Sequence, residues 1–285
     1  MAGFDMNGSY EKKGYLYDVF KMFSLMGLED RTYEYHYHDF CKLLIFLNGD
    51  VTYSIEGKNY KLKPYDFVLV DRGAIHKPQV NPKESYDRIV FYISDAFFQE
   101  FSESTCNLHY CYERAKKEGV DVLRFPALVN TQIRSILQDM QKNNEEKPYA
   151  SDVYARVLFT ELMILINRGC MDGTGSCDHA VTYNQKMIDL LYYIGEHLTE
   201  EMSVDELAGH FFISKYHMMR QFKQETGYTI HQYITEKRVL LANSLMKTGM
   251  SATDACFMSG FKDYSTFLRA YKSRMQKSPT EKLKV

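Results

Sequence analysis

Three imidazoles, a phenol and an ammonium are the first groups along this chain that could do chemistry. His36 and His38 are two residues apart, so on an extended strand both project from the same side as Phe40. Tyr53 and His76 follow within one strand-rich stretch. Imidazoles and a phenol donate and accept hydrogen bonds to hydroxyls, and Lys42 pairs with a carboxylate if it faces the same pocket. The same histidines could instead be internally satisfied polar groups of a barrel. The six cysteines, at positions 41, 106, 111, 170, 177 and 256, form no Cys-x-x-Cys pair and no zinc-like cluster with histidine. They read as reduced thiols.

The other chemistry is cationic and sits at the far end. From Ser203 onward there are 13 Lys and Arg against 7 Asp and Glu, an excess of +6, while the first 202 residues carry an excess of −8. A basic tail behind an acidic body is the electrostatic footprint of a nucleic-acid-binding domain. At 285 residues the chain has room for two domains. The start lacks the apolar core of a signal peptide, and no apolar run reaches about 18 residues. The expectation is a cytoplasmic protein with no membrane partner.

Elements to position these groups can be read from the pattern. Residues 31–95 read as short strands: the Leu43 to Leu47 run ends at Asn48-Gly49-Asp50, Val51 to Ile55 closes at Glu56-Gly57-Lys58-Asn59, and Phe67 to Val70 and Arg88 to Ile93 follow. Short, evenly spaced strands suggest an antiparallel barrel or sandwich. From about residue 95 the pattern is helical, with apolar residues from Leu128 to Met140 and a helix from Ser151 to Asn167 whose apolar surface exceeds what one packed face needs. The segment Gly169 to Thr182, rich in Gly, Ser, Thr and Asp, reads as a flexible interdomain linker.

The remainder is helical. Ser203 and Glu206 form a capping box ahead of a short amphipathic helix; a turn at Phe212-Ile213 leads to Ser214, the cap of a second helix. There Met218 and Phe222 face inward, and Tyr216, Met219 and Arg220 share the exposed side. The arrangement repeats: a helix at Ser251 to Met258, a Gly260-Phe261 turn, an Asp263 cap, and a helix from Tyr264 with Phe267 and Tyr271 inward. Two short helices joined by a tight turn offer the second helix to a major groove.

These residues resemble the AraC family of transcriptional regulators. The resemblance rests on Ser214-x3-Met218-x3-Phe222-Lys223, Thr226-Gly227, Tyr233-Ile234, Arg238 and Ala242, then Gly260-Phe261-x5-Phe267-x3-Tyr271-Lys272 and Ser278-Pro279. It implies two helix-turn-helix units on one face of duplex DNA. Tyr216, Met219 and Arg220, with Ser265, Leu268 and Arg269, match the base-facing positions. Arg forks onto guanine, whereas Met and Leu touch a thymine methyl. Lys215, Lys223, Lys262 and Lys272 suit phosphates. The second unit departs from the family at Ala252, Ala255, Cys256, Ser259, Gln276 and Lys282-Leu283. Its smaller core residues bury less area, roughly 0.8 kcal/mol per lost methylene.

His36-Tyr37-His38, followed by Gly49 and His76, resembles the cupin-like barrel with which such proteins sense small molecules. Metal-binding cupins carry a Glu where this chain has Lys42, and an ammonium opposes a divalent cation, so neither a metal nor any other cofactor is expected. The resulting fold class is α+β with two domains: a cupin or jelly-roll-like barrel over 15–105, a helical dimerisation segment over 106–170, a linker over 171–182, and an all-α double helix-turn-helix domain over 183–285. The expected function is a DNA-binding regulator whose barrel senses a small organic effector, such as a sugar or its derivative, through His36, His38, Tyr53 and His76. Its expected partners are a DNA operator, the effector, a second copy of the chain in a homodimer and, for an activator, RNA polymerase. The alternative is a cupin-type metal-dependent enzyme with an unrelated helical tail.

Overall fold

The structure is a computed structural model that describes residue 16 and residues 19–28, 32–101, 106–125, 127–173, 175–177 and 182–280. Its N-terminal half runs β1 (Phe20–Leu25), β2 (Cys41–Asn48), β3 (Val51–Ile55), β4 (Lys58–Lys61), β5 (Phe67–Val70), β6 (His76–Val80), β7 (Asp87–Ile93), α1 (Asp95–Glu100), α2 (Tyr110–Glu118), β8 (Val122–Arg124), α3 (Ala127–Glu146) and α4 (Ser151–Met171). Two short strands, β9 (Ser176–Cys177) and β10 (Thr182–Tyr183), lead to α5 (Gln185–Glu196), α6 (Val204–His210), α7 (Lys215–Thr226), α8 (Ile230–Lys247), α9 (Ala252–Met258) and α10 (Tyr264–Met275).

The strands form two sheets, ordered β1-β7-β2-β5-β8-β9 and β10-β4-β3-β6, with antiparallel pairing throughout the described residues. Strand β2 is apolar almost throughout because both of its faces are covered. Cys41, Leu43 and Ile45 join the core shared with α1 to α4, while Leu44 and Phe46 join the core between the sheets. Alternation therefore carries Lys42 to the inter-sheet side with Leu44. The same rule splits β7: Ile89, Phe91 and Ile93 pack under the helices, and Arg88, Val90 and Tyr92 face inward.

Three features differ from the sequence expectation. Strand β6 carries Pro78, which argues against a strand, but β6 is the edge of the smaller sheet, where a missing N–H costs no ladder bond. The segment 106–170 is not wholly helical, because β8 crosses it to pair with β5. The segment 171–182 is less free than its composition suggests. Helix α4 continues through Met171, Ser176 and Cys177 pair with β8, and Thr182 pairs with Asn59 of β4.

The C-terminal half follows the expected plan. Ser203 and Glu206 make a complete capping box at α6, and Ser214, Ser251 and Asp263 cap α7, α9 and α10 with side-chain oxygens. Met218, Phe222, Phe267 and Tyr271 are buried as their spacing requires. Ser259 is fully buried where an apolar residue is usual, and its hydroxyl is satisfied by donating to the Cys256 carbonyl at 2.9 Å. The departure at Lys282-Leu283 lies outside the described residues.

Candidate functional site

Where the inward faces of β2 and β7 meet the chain before β2, they enclose a cavity of about 370 Å³. His36, His38, Lys42, Arg88, Tyr86 and Tyr92 line it, with no Asp or Glu among the described lining residues. Lys42 is buried and donates to the Tyr53 hydroxyl at 2.9 Å. Burial, with the Arg88 charge adding to it, brings the Lys42 amine down to about 7. Arg88 lies over the Tyr86 ring, 3.8 Å from its centroid, and donates to the Tyr86 carbonyl at 2.7 Å and the Tyr33 hydroxyl at 3.2 Å. Lys42 and Arg88 thus bring two buried basic side chains to one cavity.

Of the four residues expected to contact an effector, His36 and His38 line this cavity. Tyr53 and His76 lie behind it, both fully buried. The His76 ring sits 4.3 Å from that of His36 and 5.0 Å from that of His38, with Tyr53 stacked at 6.0 Å. Burial, reinforced by Lys42, keeps His76 neutral well below the ordinary histidine range. Tyr53 positions Lys42, and His76 backs the two lining histidines. Arg88 escaped the sequence reading, although alternation from Val90 and Tyr92 would have turned it inward.

The back of this site touches the C-terminal half. Ile75, next to His76, donates its N–H to Glu56 at 2.9 Å, and Glu56 accepts from Tyr233 at 2.7 Å and Lys237 at 2.6 Å, both on α8. Burial alone would raise the Glu56 carboxyl; Lys237 and these hydrogen bonds outweigh it and hold the group below its usual range. Lys237 also donates to the Gly73 carbonyl at 2.9 Å. A second bridge joins Arg72 and Lys247 to Asp95, with Arg72 reaching Ser244 at 3.4 Å. Tyr37 of the barrel and Arg274 of α10 both engage the buried Glu236.

On the outer face, α7 exposes Tyr216, Met219, Arg220 and Lys223. Helix α10 exposes Ser265, Arg269 and Lys272, with Leu268 half-buried. Each expected base-facing triad thus shares one helical side. Lys215 and Lys262 are already engaged, by Asp205 at 2.8 Å and Glu201 at 2.7 Å; both are exposed pairs of the weakly held kind. Phe212, in the turn before α7, is 92% exposed with a left-handed backbone, φ +52°, a feature the sequence did not signal. No helix of the described residues is long and apolar enough to cross a membrane.

Residues 25–156 match the family described as an AraC-like ligand binding domain, and residues 207–284 match a helix-turn-helix domain. The HTH-type transcriptional activator RhaS of Klebsiella pneumoniae (strain 342) is 23% identical over 270 residues, covering 93% of this chain and 94% of that protein. RhaS of Escherichia coli (strain SMS-3-5 / SECEC) is 22% identical over 247 residues, covering 86% of each. The solved structure of ToxT from Vibrio cholerae O395 is 16% identical with a TM-score of 0.38, covering 92% of this chain and 96% of that one.

Proposed function

The chain belongs to the AraC family of transcriptional regulators, and from that premise we propose that it activates transcription in response to an anionic organic effector held in the barrel cavity. It is a DNA-binding regulator with an effector-binding N-terminal domain and not an enzyme, so the cupin-enzyme alternative falls. The activator role is inferred from the names of the relatives, and acting as an activator entails contact with RNA polymerase.

The observation that carries the effector reading is the pair Lys42 and Arg88 in a cavity with no acidic residue among its described lining. A carboxylate placed there offsets two desolvated cations, while His36 and His38 hydrogen-bond to hydroxyls. A hydroxylated carboxylate, such as a sugar acid, meets both requirements. His76, Ile75 and Glu56 form a continuous path from those histidines to Tyr233 and Lys237 on α8. The effector switches the protein only through its differential affinity for two arrangements of this seam. A coupling of about 1–3 kcal/mol changes operator affinity about 5–150-fold.

On DNA, α7 reads bases with Tyr216, Met219 and Arg220, and α10 with Ser265, Leu268 and Arg269. Lys223 and Lys272 contact phosphate, as do Lys215 and Lys262 after exchanging their carboxylate partners. The exposed apolar stripe Val153, Tyr154 and Val157 on α4 is the surface for a second copy of the chain.

Calorimetry of the full-length protein with hydroxylated carboxylates and matched neutral sugars tests the effector reading. The acid binds and the neutral sugar does not. Affinity weakens as pH rises through about 7, where Lys42 loses its proton, and Lys42→Met removes the preference. Tight binding of the neutral sugar, unmoved by Lys42→Met, overturns it.

A further inference from the structure

A second cluster of ligating side chains lies on the other face of β2, away from the effector cavity. Cys41 at the start of β2, Asp71 just after β5, and His109 at the N-terminal cap of α2 converge from three separate elements. Cys41 Sγ lies 3.4 Å from Asp71 Oδ1 and 3.6 Å from His109 Nε2, and His109 Nε2 lies 3.4 Å from Asp71 Oδ1.

We propose that Cys41, Asp71 and His109 form a zinc site, with three corners of a tetrahedron supplied by the protein and the fourth open to water. Zinc–sulfur, zinc–nitrogen and zinc–oxygen bonds of about 2.3, 2.05 and 2.1 Å at tetrahedral angles set the three donors about 3.4–3.6 Å apart. The donor atoms already stand at those separations. The mixed thiolate, imidazole and carboxylate set suits zinc rather than calcium or magnesium.

The surroundings fit as well. Glu113 lies 3.5 Å from His109 Nδ1, one helical turn along, and leaves Nε2 directed at Cys41 and Asp71; a carboxylate behind a ligating histidine orients the ring. Asp71 is fixed by accepting the Arg72 N–H at 2.8 Å. Cys41 is buried, whereas Asp71 and His109 are each about a third exposed, which gives a metal a way in. The three histidines beside the effector cavity also lie close together, but Lys42 and Arg88 stand among them and oppose a cation. Arg72, next to Asp71, bridges to Asp95 and Ser244, so a metal here braces the barrel rim where α8 rests on it.

Cobalt(II) is the probe, added to metal-stripped full-length protein. One equivalent produces a thiolate-to-cobalt charge-transfer band in the near ultraviolet with tetrahedral d–d absorption, and zinc(II) displaces it. Cys41→Ser abolishes the band. His109→Gln, at a partly exposed position, lowers cobalt affinity at least tenfold, and Glu113→Gln lowers it about tenfold. His76→Ala leaves the band intact. No charge-transfer band in the wild type overturns the proposal, as does a band that survives Cys41→Ser or one that needs His76 and not His109. If Cys41→Ser fails to fold, the His109→Gln titration decides alone.

Discussion

The two helix-turn-helix units share one plan but differ in what supports them. Each has a seven-residue helix followed by a twelve-residue helix. The first unit builds its core from large side chains, among them Leu207, Met218, Phe222, Tyr228 and Tyr233, and the barrel residues Tyr37 and Ile75 belong to the same cluster. The second has a separate, smaller core of Val239, Ala242, Ala255, Cys256, Phe261, Phe267 and Tyr271. Backbone strain is also distributed in opposite ways. The first unit has Phe212 in its turn at φ +52° and Gly227 at the end of its second helix at φ +76°. The second has Gly260 in its turn at φ +89° and Gln276 at the helix end at φ +54°. The first unit therefore shares its apolar core with the barrel, whereas the second has an apolar core of its own and meets the barrel through polar contacts, Arg274 and Tyr37 both engaging Glu236.

The largest expected effect comes from cutting each core. Phe222→Ala and Phe267→Ala should each cost about 3–5 kcal/mol of local stability. Amide hydrogen exchange should separate them: Phe222→Ala loosens the barrel around Tyr37 and Ile75, while Phe267→Ala leaves it protected. Equal protection of the barrel in both variants breaks the comparison.

Next come the bases. Arg220→Ala should cost about 1–3 kcal/mol in operator binding and relax preference at one position. Arg269→Ala should cost less, since it stands on the smaller core. Equal losses on operator and random duplex for Arg220→Ala, read by titration at fixed salt, would remove Arg220 from base reading.

The smallest effect sharpens the strain contrast. A non-glycine residue in the left-handed region costs about 1 kcal/mol, so Gln276→Gly should raise second-unit stability and Phe212→Gly that of the first. Chemical denaturation followed by exchange in each unit reads both. Destabilisation by Phe212→Gly would mean that this exposed ring has a partner in the folded protein.

Local pattern was legible wherever period and capping spoke for themselves. Met218, Phe222, Phe267 and Tyr271 could be placed from spacing alone, and strands β2, β3, β5 and β7 from alternation and turns. Strand β6 is not marked by the pattern; it carries Pro78, and a sequence does not say which strand will be an edge. The effector reading names His36, His38, Tyr53 and His76 together; which of them line the cavity and which lie behind it depends on how two sheets close. Spacing rules look for cysteine and histidine near one another in sequence. Cys41 and His109 are 68 residues apart, and Asp71 is 30 residues from Cys41. Their meeting belongs to the topology.

The pairing of Thr182 and Tyr183 with β4 fixes the length of the tether between the halves. Helix α5 begins at Gln185, so Asn184 alone spans the gap, a leash of at most about 7 Å from Tyr183 to Gln185. So short a leash keeps α8 at a very high effective concentration over Glu56 and Arg72, and a seam of a few hydrogen bonds and ion pairs can stay closed without great intrinsic affinity. It also limits how far the DNA-binding half can swing. Releasing β10 from β4 would move the nearest described anchor back to Cys177 of β9 and dilute the seam without altering a single contact within it.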